Sequence, residues 1–405
     1  MENKNAAAPL AVNGGKPVRD TFLSYGRQYI DGDDIAAVTR VLKSDFLTCG
    51  PMIEKAEQKL CKVTGAACCV AVSSGTAALH TACLAAGIGA GDEVIVPPMT
   101  FAASANCVLY CGGIPVFADI DPHSWNLSPE AAEQKITDRT KAIIAVDYMG
   151  QAADLYALGD LCRKHNLILI EDAAHSMGTR YDNRTVGSIA DLTAFSFHPV
   201  KTVTAGEGGA VTTNDDSLCE KARLYGKHGI TREREKWIRR NENECYYEQQ
   251  ALGYNYRITD LQAALLCSQL DKLERFSKRR KELTAFYNKE FSPMPEIILP
   301  KEIPLSDTVR HLYVVRLDTE KLTAGRDAVL KALRAENIGA AIHYIPVYLM
   351  PYYQRLGYRE GLCPNAEEHY RASLTLPLFY SMTDQDAADV VCAVKKVIGF
   401  YRKPG

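Results

Sequence analysis

A chain of 405 residues, 47% hydrophobic and 24% charged, has the composition of a soluble globular protein with a large core, and at this length two domains are expected. Its formal net charge of −2 gives no electrostatic reason to expect nucleic acid or an anionic membrane as partner. Thirteen cysteines, without a CxxC pair or the Cys/His spacing of a zinc site, predict a reduced, cytoplasmic chain with no metal centre.

Residues 1–10 lack a basic segment followed by an apolar stretch, and no apolar run is long enough to span a bilayer. Neither secretion nor membrane insertion is expected. Residues 3–9 read as a frayed terminus within a leading segment, 1–30. Short apolar β-rich runs then recur at 69–72, 93–96, 115–118, 142–146, 167–170, 193–197 and 210–213, mostly separated by amphipathic helical stretches. This pattern predicts a large α/β domain over 31–270, with a mostly parallel sheet covered on both faces. Thr259-Asp260-Leu261-Gln262 offers a capping box, and Leu266, Leu270 and Leu273 follow at i, i+4 and i+7, predicting one long bridging helix. Beyond it a strand (312–317), a helix (326–335), a second strand (340–344) and a closing helix (384–398) predict a smaller α+β domain over 271–405.

Three segments carry chemistry. Ser74-Gly75-Thr76 lies between a strand and a helix, where amides and hydroxyls face an anion such as phosphate; a plain N-cap is the other reading. Asp172 follows an apolar run, at the carboxyl edge of the sheet where ligands of open α/β folds bind, and it too could simply cap the next helix. Lys201 closes Phe195-Ser196-Phe197-His198-Pro199-Val200-Lys201, ahead of Gly206-Glu207-Gly208-Gly209. A lysine amine can form a Schiff base with an aldehyde cofactor, while an upstream carboxylate keeps a pyridine nitrogen protonated. Gly87-Ile88-Gly89-Ala90-Gly91 follows a helix instead of opening one, so it is a connector and not a dinucleotide fingerprint.

Together these segments resemble the DegT/DnrJ/EryC1/StrS sugar aminotransferases, over nearly the whole chain. The resemblance implies the aspartate-aminotransferase-like fold (fold type I) and pyridoxal 5′-phosphate (PLP) as cofactor. It implies a catalytic set of Lys201, Asp172 and His175, with Lys201 carrying the cofactor, Asp172 on its ring nitrogen and His175 near its phenolic oxygen. Ser74, Gly75, Thr76 and Ser196 would hold its phosphate, Phe101 would stack on its ring, and Asn255 would reach a neighbouring subunit's phosphate. That last role makes the active unit a homodimer with shared sites. From the residues alone, Phe101 could be core, His175 structural and Asn255 a loop cap.

Thr204-Ala205-Gly206-Glu207-Gly208-Gly209 resembles the members that aminate sugar carbon 4. Tyr25-Gly26-Arg27-Gln28, Leu47-Thr48-Cys49-Gly50-Pro51 and His343-Tyr344-Ile345-Pro346-Val347-Tyr348 resemble substrate-side segments of the branch serving pseudaminic acid synthesis. That resemblance implies L-glutamate as donor and a UDP-linked 4-keto-6-deoxy-N-acetylhexosamine as acceptor, giving UDP-4-amino-4,6-dideoxy-N-acetyl-β-L-altrosamine. It puts Tyr25, Thr48, Gly50, His343 and Tyr344 on the substrate. A perosamine-type 4-aminotransferase and a catalytically silent regulatory relative remain as alternatives.

Overall fold

The computed structural model describes residues 9–240 and 242–404, so the expected frayed terminus at 3–9 lies, but for Pro9, outside the described residues. Nine strands and nine helices lead up to and through the sheet that carries the site. In chain order these are α1 (Gly32–Leu42), α2 (Pro51–Thr64), β1 (Cys68–Val72), α3 (Gly75–Ala85), β2 (Glu93–Val96), α4 (Ala103–Tyr110) and β3 (Ile114–Phe117). There follow α5 (Pro129–Glu133), β4 (Thr140–Val146), α6 (Leu155–His165), β5 (Ile168–Asp172), the hairpin β6 (Arg180–Tyr181) and β7 (Arg184–Thr185), β8 (Leu192–Ser196), β9 (Gly209–Thr213), α7 (Asp216–Gly226), α8 (Asp260–Leu270) and α9 (Leu273–Phe291).

Seven strands form one sheet in the order β1-β9-β8-β5-β4-β2-β3. β3, β2, β4, β5 and β8 run parallel, and β9 is antiparallel to both β8 and β1. Each apolar run faces two cores: Val94 and Val96 pack on one side of the sheet, and Ile95 on the other. Ile144 and Val146 divide from Ile143 and Ala145 in the same way. Helices cover both faces, which is why the strand sequences show continuous hydrophobicity instead of alternation.

A three-stranded antiparallel sheet, Ile297–Ile298, Tyr313–Leu317 and Ser373–Leu376, builds the second layer with helices Arg326–Ala335 and Asp384–Tyr401. Leu10 and Leu23 join its core, so the leading segment packs against the far end of the chain.

Three expectations are corrected. The single bridging helix is two, α8 and α9, broken at Asp271–Lys272. Lys272 is drawn into the Asp31–Asp34 cap of α1, 2.9 Å from the Asp34 carboxylate, and this polar anchor competes with continued helix. Residues 340–344 form no strand: Ala341 pairs with Thr375 as an isolated bridge, while the His343 carbonyl accepts the Tyr148 hydroxyl. The all-thiol reading also fails at one place, because Cys68 at the start of β1 is disulfide-bonded to Cys219 in α7, with Cα atoms 6.2 Å apart. These cysteines lie 151 positions apart, so nothing in their spacing marks them as partners. Among the described residues no helix is long and apolar enough to cross a membrane.

Candidate active site

The carboxyl ends of β1, β5 and β8 converge on one place. β1 delivers Ser74, which caps α3 by accepting the Ala77 amide at 3.1 Å; the plain capping role is therefore filled. The same turn still presents the positive end of an eleven-residue helix. A Cβ at Gly75 would sit 2.7 Å from the Ser196 Cβ and 2.9 Å from its Oγ, so only glycine lets the α3 turn close on the end of β8.

β5 delivers Asp172, 5% exposed, with Oδ2 accepting the Ser104 hydroxyl at 2.6 Å and Oδ1 accepting the Ala174 amide at 3.2 Å. Burial raises its pKa, and Ser104, the Ala174 amide and the Lys201 charge oppose that push. A cation facing this carboxylate would relieve it further. Lys201, just beyond β8, is held in a turn by its amide to the His198 carbonyl at 3.0 Å. Burial pushes its amine down to about 8 although Asp172 pulls it up. An amine in that range is partly unprotonated near neutrality, as a nucleophile must be.

The pocket wall comes from chain-distant residues. His175 Nε2 meets the Tyr344 hydroxyl at 3.1 Å, and its Nδ1 is buried without a hydrogen-bond partner among the described residues. Its ring centre lies 4.7 Å from that of His311. Burial first, then Lys201, drives both His175 and His311 well below the ordinary imidazole range, and the same causes push His343 down to about 4. All three imidazoles are therefore neutral at physiological pH. Tyr25 stacks at a tilt on His343, 5.0 Å between centres. Phe101 is not core: it is 62% exposed, with its ring 6.3 Å from Tyr344. Behind Asp172, Asp147 and Glu171 are fully buried carboxyls whose pKa values burial raises, Asp147 further through its neighbour Glu171.

The structure thus gathers Lys201, Asp172, His175, Tyr25, His343, Tyr344 and Phe101 at one place, with Ser74, Gly75 and Ser196 together at the start of α3; Thr76 is the second residue of α3. Thr48 and Gly50 are not brought to Lys201 by any described contact. They dock on the start of α8, where Thr48 bridges Thr259 and the Gly50 amide donates to Asp260 at 2.7 Å. Asn255 is exposed and bridges Lys227, next to Tyr256, whose carbonyl accepts the Ser73 amide at 2.8 Å. Sequence reading missed Ser104 and His311. Ser104 sits on α4 with no local motif, and His311 precedes a strand that looked merely structural.

These residues fit an aldehyde cofactor with an anionic phosphate: a depressed-pKa lysine, a buried carboxylate, a helix N-terminus closed by glycine, and an unused buried imidazole nitrogen. Among the described residues no group of three or more His, Cys, Asp or Glu is placed to hold a metal.

Comparison with known proteins agrees with that chemistry. The spore coat polysaccharide biosynthesis protein SpsC of Bacillus subtilis (strain 168) is 41% identical over 383 residues, 94% of this chain and 98% of SpsC. Helicobacter pylori PseC, an aminotransferase of pseudaminic acid biosynthesis, superposes with a TM-score of 0.85 at 31% identity, over 94% of this chain and all of PseC. Streptococcus pneumoniae Spr1654, solved in a PLP form, gives 0.86 at 28% identity, over 94% of this chain and 99% of that one. The greater identity lies with the spore coat protein and not with PseC, so the comparisons support the aminotransferase class without singling out the pseudaminic branch. The family model spans residues 28–395, and the chain belongs to the DegT/DnrJ/EryC1/StrS aminotransferase family.

Proposed function

We propose that this enzyme uses PLP to move an amino group from L-glutamate to carbon 4 of a UDP-linked 4-keto-6-deoxy-N-acetylhexosamine, giving UDP-4-amino-4,6-dideoxy-N-acetyl-β-L-altrosamine in the cytoplasm. The observation that carries the reading is the Lys201–Asp172 pair: a buried carboxylate at the end of β5 acting on an amine held near 8, beside the glycine-closed start of α3. When bound, PLP supplies an electron sink for the carbon that loses or gains a proton. Lys201 would carry the cofactor, and its amine, once freed, would take up and return the proton at the substrate carbon. Asp172, oriented by Ser104, keeps the ring nitrogen protonated, while His175 orients the phenolic oxygen. Ser74, Gly75, Thr76 and Ser196 would hold the phosphate, and Phe101 would cover the ring. Tyr25, His343 and Tyr344 would line the sugar side, whereas Thr48 and Gly50, docked on the start of α8, are not assigned to it. The neutral histidines add no competing charge where the ketosugar must sit.

A panel of 4-ketosugar nucleotides with glutamate, read by product mass, tests the substrate. Amination of the UDP-linked N-acetylated sugar in preference to a GDP-linked perosamine precursor supports it; the reverse preference replaces it with the perosamine-type reading. No amination of any sugar, with no band shift on adding glutamate, leaves the regulatory relative.

The shared site is tested by mixing. Asn255 lies beside its own chain's Ser73 through Tyr256, yet its side chain is exposed and can reach a second copy. Lys201→Ala and Asn255→Ala homodimers should each be impaired. Subunit exchange between them should restore activity, because one site of the heterodimer then carries both lesions and the other neither. No recovery after verified exchange means that Asn255 serves its own chain.

A further inference from the structure

We propose that the turn at 336–339 is a positioning element for the sugar side of the active site: it fastens the leading segment to the second layer and so sets where Tyr25 stands, with Gly339 as the residue whose size decides the fit. The inference rests on the reading of Tyr25 as a sugar-side residue and extends it to groups placed on neither substrate nor cofactor.

The leading segment has one short helical turn, Ala11–Asn13, so its course depends on what it docks against. Glu336, directly after helix Arg326–Ala335, is fully buried, and its two carboxylate oxygens accept the Ala11 and Val18 amides, each at 2.9 Å. One side chain thus pins both ends of the loop between them. Lys396, from helix Asp384–Tyr401, lies 2.8 Å from this carboxylate and supplies the opposite charge that lets it stay buried. Asn337 takes the left-handed conformation, φ 63°, which asparagine tolerates better than most residues, and its side-chain amide donates to the Arg19 carbonyl at 2.8 Å.

The two backbones then meet directly. The Leu23 amide donates to the Asn337 carbonyl at 2.9 Å, and the Gly339 amide donates to the Leu23 carbonyl at 2.7 Å, around a parallel bridge between Leu23 and Ile338. A Cβ at Gly339 would sit 2.5 Å from that Leu23 oxygen and 3.0 Å from the Ser24 Cα. Both are backbone atoms, so a larger residue must push the segment away. Two positions on from Leu23, Tyr25 turns its ring to His343, and its carbonyl accepts the Leu378 amide at 3.0 Å. A Cβ at Gly26 would lie 3.5 Å from the Cβ of Val200, the neighbour of Lys201, so the segment passes close to the chemistry. Its next anchor is the Tyr29 carbonyl, which accepts from Gln269 of α8 at 2.9 Å. A shift at Leu23 therefore reaches Tyr25 with one residue between them. None of these anchoring bonds reaches β5 or β8, which deliver Asp172 and Lys201, so the effect falls on the sugar and spares the reaction with glutamate.

The test uses the full-length, PLP-loaded enzyme. Gly339→Ala should raise KM for the UDP-linked 4-keto-6-deoxy-N-acetylhexosamine about tenfold while kcat stays within about twofold, because a wall of the sugar site moves and the proton-transfer groups do not. Conversion of the cofactor by glutamate alone, followed by its visible absorbance in a single turnover, should keep its rate and half-saturation. Amide exchange should quicken at Leu23 and Leu378, whose amides bond at the fastener and at Tyr25. Asn337→Gly keeps the left-handed backbone and removes the bond to Arg19; it should move sugar KM and amide exchange in the same direction, and it serves in place of an alanine variant that does not fold. Equal losses with sugar and with glutamate, an unchanged sugar KM where those amides exchange faster, or unchanged exchange in folded Gly339→Ala would each overturn the inference. A wild type that reacts with glutamate but does not aminate this sugar defeats the substrate reading instead, and amide exchange at Leu23 and Leu378 then decides the fastener by itself.

Discussion

Lys201→Ala is expected to abolish amino transfer while leaving the cofactor bound noncovalently. General acid–base catalysis alone is worth about 10²–10⁴-fold, and this variant loses both the proton carrier and the covalent attachment. On the proposed reading the α3 turn and Ser196 hold the phosphate, so dialysed variant should still release PLP on denaturation. Borohydride reduction of the wild type should leave a pyridoxyl adduct on the peptide containing Lys201. An adduct on any other lysine overturns the assignment. The amine's pKa near 8 adds a pH test: an unprotonated amine is the reactive form, so covalent uptake of PLP by the cofactor-stripped enzyme should rise through about pH 8. A rise centred near the ordinary lysine range of about 10.4 would show that the amine is not desolvated as described.

Asp172→Asn is expected to leave the fold intact and lower turnover by about 10²–10³-fold, roughly 3–4 kcal/mol of transition-state stabilisation. The amide is nearly isosteric: its oxygen can still accept the Ala174 amide while its NH2 donates to a rotated Ser104 hydroxyl, so the pocket keeps its shape. It cannot favour a protonated ring nitrogen. The substitution also removes the charge that supports the Lys201 ammonium, so the midpoint of covalent PLP uptake should move below that of the wild type. Circular dichroism and a thermal melt separate this effect from unfolding. Near-normal turnover in a folded variant would remove Asp172 from the mechanism.

Much of this was readable from local chemistry. Residues 94–96 and 142–146 are apolar at every position because both sheet faces are covered, and such continuous runs mark strands of a covered sheet. Ser74, Asp172 and Lys201 could be placed because each lies at or just beyond the carboxyl end of a strand, and strand ends of one sheet lie together. Residues 340–344 misled because an apolar run with β-branched neighbours looks like a strand whether or not a partner edge is present. Only Ala341 finds one.

By itself, then, the sequence determined the layered α/β order and put Gly75, Asp172 and Lys201 near strand ends, while their expected roles came from the family resemblance. The tertiary structure alone decided what surrounds them. Ser104 reaches Asp172 across 68 positions, Tyr344 reaches His175 across 169, and Lys272 breaks a helix to meet Asp34. The lowered pKa of Lys201 belongs to the same class. Burial is a property of everything packed around a side chain, and no segment of sequence contains its own surroundings.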